Sequence, residues 1–78
     1  MNKEKIIKGA SEILGISDDD KHLSSCLEIK LNEYYCYELS DEQWIYGLVA
    51  EYAFCAGMFD EWKEYQKKFN KSLFGVVK

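Results

Sequence analysis

Ser40-Asp41-Glu42-Gln43-Trp44-Ile45-Tyr46-Gly47-Leu48-Val49-Ala50-Glu51-Tyr52-Ala53-Phe54-Cys55-Ala56-Gly57 is the stretch that decides the fold. Ser40 as N-cap with Gln43 three positions later spells a capping box, in which each side chain bonds the other's backbone N–H. Leu39 before the cap and Trp44 inside the first turn supply the matching hydrophobic staple. From Trp44 onward the residues are nearly all apolar, and Glu51 is the charged residue that interrupts the run. A strand can also be apolar, but this run is too long for one, rich in alanine and capped, which argues for a helix. A helix that is apolar all round must lie at the centre of its fold or be covered by a partner. Gly57 ends it.

Working outward, Lys3 to Leu14 places Ile6, Ile7, Ala10, Ile13 and Leu14 on one helical stripe, with Lys5, Lys8 and Glu12 opposite. Gly15 supplies the left-handed stop. Ser17-Asp18-Asp19-Asp20 reads as an N-cap at Ser17 followed by acids at the positive end of a helix dipole. The spacing of a calcium loop is absent there. That helix is predicted to run to about Glu38, with Leu23, Leu27, Leu31, Tyr34 and Tyr37 facing the core. Lys30 falls inside the stripe, so it either snorkels outward or marks a local departure. Asp60 to about Phe74 is a further amphipath, with Trp62, Tyr65, Phe69 and Leu73 on one side and Lys63, Lys67, Lys68 and Lys71 away from it. Gly75 then releases a short apolar tail, Val76-Val77-Lys78, which either folds back or adds to a neighbour. The expectation is all-α: one small compact domain, residues 1–78, of about four helices joined by short turns.

Composition narrows the classes of function. The 78 residues contain 47% hydrophobic and 15% aromatic residues, which suits a small packed domain and not a disordered chain. No apolar run approaches the roughly 20 residues that span a bilayer, and the start of the chain lacks the apolar core of a signal peptide, so an intracellular, unsecreted protein without a membrane partner is expected. Arginine is absent and the net charge is -4, which disfavours direct nucleic-acid readout. Charge is polarised: residues 9–62 are acidic, and both ends are rich in lysine. Opposite charges on one molecule favour association of copies.

Chemistry is sparse. Cys26, Cys36 and Cys55 are odd in number without a Cys-x-x-Cys pair, so free buried thiols are expected. His22 and Cys26 share a helical face on adjacent turns, but two ligands fall short of the about four of a closed zinc site, and neither metal nor cofactor is expected. With one histidine and no glycine-rich phosphate loop, no catalytic set stands out and a non-enzyme is expected. The notable surplus is aromatic. Tyr35, Tyr46, Phe54 and Phe74 are the rings least accounted for by a single core face, and they either fill the core rim or form a protein interface together with Val76 and Val77.

Residues 52–65 resemble the helix–Gly–helix corner of a tetratricopeptide repeat, as a shared hairpin geometry only. A broader resemblance rests on Leu14-Gly15-Ile16-Ser17-Asp18-Asp19-Asp20, on the tyrosines from Tyr34 to Tyr37, and on Trp44 to Gly57 with its Glu51-Tyr52-Ala53. These are similar to the small head–tail connector proteins of tailed phages. The loop rich in Gly and Ser that follows the Ala/Tyr helix in the commoner connectors is missing here. The resemblance implies a non-enzymatic virion adaptor, in the virion or the host bacterial cytoplasm. Its partners would be protein: its own copies in a ring, and portal or tail proteins. The alternatives are a small acidic phage-encoded inhibitor of a host enzyme, of the anti-CRISPR kind, and a generic helical protein-interaction module.

Overall fold

The computed structural model describes residues 1–73. Within them the chain forms α1 (Lys3–Leu14), α2 (Lys21–Glu33), α3 (Asp41–Cys55) and α4 (Phe59–Leu73), an all-α fold. Phe74, Val76 and Val77 lie outside the described residues.

The capping box that opens α3 is present. Ser40 N–H donates to Gln43 Oε1 at 2.8 Å, and Gln43 N–H donates to Ser40 Oγ at 3.2 Å. The amide of Gln43 also reaches the Ser72 carbonyl at 3.2 Å, fastening the start of α3 to the end of α4. At the other end Gly57 sits at φ 75°. There Met58 N–H donates to the Ala53 carbonyl (2.8 Å) and Gly57 N–H to the Phe54 carbonyl (3.3 Å). This pair of bonds satisfies the last carbonyls of α3 and reverses the chain into α4.

As its apolar circumference requires, α3 is central: it packs against α1, α2 and α4, whereas the backbone of α4 lies close to α3 alone among the helices. Ile6 and Ala10 of α1, Leu23, Cys26 and Leu27 of α2, Trp44, Leu48, Val49, Ala50 and Ala53 of α3, and Phe69 of α4 are buried. Gly47 lets the Phe69 ring lie against α3, since a Cβ there would stand 3.0 Å from Cε1 of that ring. The close approach offsets the roughly 1 kcal/mol that a glycine costs inside a helix.

Two sequence expectations are corrected, and one left open is decided. The N-cap of α2 is Asp20, not Ser17: the Asp20 carboxylate accepts from His22 N–H (2.9 Å) and Leu23 N–H (3.1 Å). The Ser17 hydroxyl instead bonds Asp19, and Asp20 N–H closes a turn on the Ser17 carbonyl. That turn lets Ile16 pack against the core before α2 begins. α2 also ends at Glu33 rather than near Glu38. Tyr34 leaves the helical conformation and sets its ring edge-on against Phe69 at 5.1 Å and against Tyr37 at 5.3 Å; tertiary packing overrides a local pattern that carries no stop signal. Lys30, finally, does not snorkel. It is 5% exposed, with Nζ 3.6 Å from Glu51 Oε1 and 5.3–5.4 Å from the ring centres of Tyr34 and Phe69. Salt bridge and ring faces together compensate its desolvation.

Candidate protein-interaction surface

The reversal at Gly57 decides what the far end of the α3–α4 hairpin displays. Phe54 belongs to the last turn of α3, Phe59 opens α4, and Trp62 follows one turn later. Their rings form a triangle with centroid separations of 5.2 Å (Phe54–Trp62), 6.4 Å (Phe54–Phe59) and 6.3 Å (Phe59–Trp62), tilted or edge-on as aromatic quadrupoles prefer. Phe54 is 52% and Phe59 54% exposed, and Trp62 is half-buried. From Trp62 a shallow, open groove follows α4 past Gln66 and Asn70, edged by Lys63, Lys67 and Lys71. Contiguous aromatic surface with a charged border is the make-up of a protein-binding patch.

The residues singled out from sequence do not converge. Phe54 enters the corner. Tyr35 projects from the turn after α2 and is 81% exposed, outside every ring pair among the described residues. Tyr46 is half-buried along the α3–α4 seam, 6.0 Å from the Tyr65 ring, with Lys68 Nζ over both. Its hydroxyl donates to Glu42 Oε1 at 2.7 Å, and that bond is the first reason its phenol titrates above the ordinary value. Sequence reasoning missed Phe59 and assigned Trp62 to the core stripe. The available signal was the placement of Phe54 and Phe59 on either side of a helix-stopping glycine.

A second, polar constellation lies between α2 and α3. His22 Nε2 stands 4.0 Å from Cys26 Sγ, and Cys55 joins them from the end of α3. The Cys55 thiol donates to Glu51 Oε2 at 3.7 Å, and the Tyr52 ring lies 5.1 Å from the His22 ring. Only Cys26 is buried; Cys36 and Cys55 are exposed, against the expectation of buried thiols, because one sits in the turn after α2 and the other at the open end of α3. Burial, followed by Cys55, Glu51 and Asp20, pushes the Cys26 thiol up to about 12, so it is protonated at neutral pH.

Comparison with protein-family models, with characterised proteins and with solved structures finds no match to this chain. Among the described residues no helix is long and apolar enough to cross a membrane.

Proposed function

We propose that this chain is a non-enzymatic adaptor of a phage or prophage virion, docking on protein partners through the Phe54–Phe59–Trp62 corner. The observation that carries the docking surface is the triangle of rings held at the end of the α3–α4 hairpin with its two phenylalanines about half exposed. Such rings give large contact area at low entropic cost when a partner covers them. Copies of the chain, portal and tail proteins are the partners this reading names. The lysines along α4 (Lys63, Lys67, Lys71) and the exposed acids Asp18, Asp19 and Glu33 give two copies surface groups of opposite charge. The assignment to a virion draws its support from the resemblance of residues 14–20, 34–37 and 44–57 to small head–tail connectors.

Affinity capture of the tagged chain from infected or lysogen-induced cells, with mass spectrometry of the bound proteins, tests both parts. Portal, tail or capsid proteins are expected with the wild type and are lost with Phe54→Ser/Phe59→Ser. Recovery of a single host nuclease or polymerase, released as salt rises, would overturn the adaptor in favour of an acidic inhibitor, since screening weakens charge-driven contacts far more than apolar ones.

A further inference from the structure

The polar cluster between α2 and α3 has the chemistry of a metal centre. One turn of α2 sets His22 beside Cys26, the capped start at Asp20 fixing where that turn begins. Packing of α2 against α3 then brings in Cys55, so that one imidazole nitrogen and two sulfurs lie within 4.8 Å of one another. A tetrahedral zinc ion with Zn–S near 2.3 Å and Zn–N near 2.0 Å sets its ligand atoms about 3.5–3.8 Å apart. His22 and Cys55 are exposed and have room to close that difference by side-chain rotation, while Cys26 stays buried as the fixed member. A fourth donor stands one turn before Cys55: Glu51 Oε2 faces the Cys55 thiol while Oε1 is held by Lys30.

We propose that His22, Cys26 and Cys55 bind a zinc ion between α2 and α3, with Glu51 Oε2 completing the tetrahedron. This site goes beyond the adaptor reading and shares no residue with the aromatic corner. Two thiolates and a neutral imidazole select a thiophilic ion over magnesium or calcium, which take oxygen ligands. Charge closes as well: the two thiolates cancel the dication, and the Lys30 ammonium cancels Glu51. On binding, each thiol loses its proton to solvent as its Zn–S bond forms, and the zinc sheds water; no electron moves. The centre acts as a clasp across the α2–α3 seam, adding metal-ligand bonds to the packing there.

The test uses the full, untagged chain under reducing conditions. Zinc titration followed by native mass spectrometry and thermal melting is expected to show one zinc per chain, release of two protons in weak buffer and a higher Tm. Cobalt in place of zinc is expected to give thiolate charge-transfer bands and the intense visible spectrum of a tetrahedral site. Cys55→Ser, exposed and outside the core, keeps the metal-free Tm and weakens zinc binding by at least about tenfold, the lower end of what even an outer-shell loss costs at such sites. Cys36→Ser changes nothing. Failure of the wild type to take up zinc, or equal affinity in wild type and Cys55→Ser, would overturn the site.

Discussion

Two aromatic clusters occupy the same helical hairpin and serve opposite ends. Near the start of α3, Phe69 is fully buried against Gly47, edge-on to Tyr34 and beneath the Lys30 ammonium. At the other end, Phe54, Phe59 and Trp62 pair with one another, and two of the three are more than half exposed. Residue type is the same; the difference is what the chain supplies to cover the rings. A missing Cβ on α3, a loop tyrosine and a salt-bridged lysine converge on Phe69. At the corner no such group is supplied: α1 and α2 lie against α3, and the Lys30 side chain that reaches α4 does so at Phe69. The burial of an aromatic residue therefore reports what surrounds it in space, and the rings left exposed at the corner are the basis of the docking surface proposed above.

The largest expected effect breaks the buried cluster. Phe69→Ala removes a ring at 0% exposure and should cost about 3–5 kcal/mol by denaturant unfolding. That approaches the whole stability of a domain of this size, on the order of 5–10 kcal/mol. Glu51→Ala, measured without metal, strands the Lys30 ammonium over the Phe69 ring and should cost about 3 kcal/mol. Lys30→Met should cost much less, because the Glu51 side chain keeps 19% exposure and can turn to water. Equal losses for these two variants would mean that the pair is not desolvated.

A smaller effect separates two helical glycines. At Gly47 an added methyl meets the buried Phe69 ring at 3.0–3.3 Å, so Gly47→Ala should destabilise by about 1–2 kcal/mol despite its helix propensity. At Gly9 the methyl would stand 2.6 Å from Cδ1 of Ile45, the far end of a half-buried side chain, so that end must shift; the gain in propensity offsets part of the cost, and Gly9→Ala should destabilise less than Gly47→Ala. Ser40→Ala should lower stability by about 1 kcal/mol, through loss of the Gln43 N–H bond. A thermal melt of each variant checks these signs.

What was legible in the sequence follows the range of the interactions. The Ser40–Gln43 box, the Gly15 and Gly57 stops, the span of α1 and the central place of α3 depend on neighbours within a turn or on periodicity, and the structure has them all. The cap of α2 is not legible because four consecutive residues, Ser17 to Asp20, can each cap; in the structure a turn closed by Asp20 N–H on the Ser17 carbonyl precedes the helix, and Asp20 caps it. The end of α2 was misplaced because Tyr34 leaves the helix for Phe69, a partner 35 positions away. Lys30–Glu51 and Cys26–Cys55 are likewise pairings between helices, invisible to any local pattern. At the corner, Phe54 was legible as a surplus ring, but its partners Phe59 and Trp62 needed the geometry of the Gly57 reversal.

The claim that the corner serves docking and not folding is tested most directly by thermal melting of Phe54→Ser/Phe59→Ser beside Phe69→Ala, each as the purified chain without partner. The corner variant is expected to melt within a few degrees of wild type, as surface substitutions worth about 0.5 kcal/mol do, while Phe69→Ala is close to unfolded. A drop in Tm for the corner variant as large as that of Phe69→Ala would contradict it, and would make those rings the rim of the core.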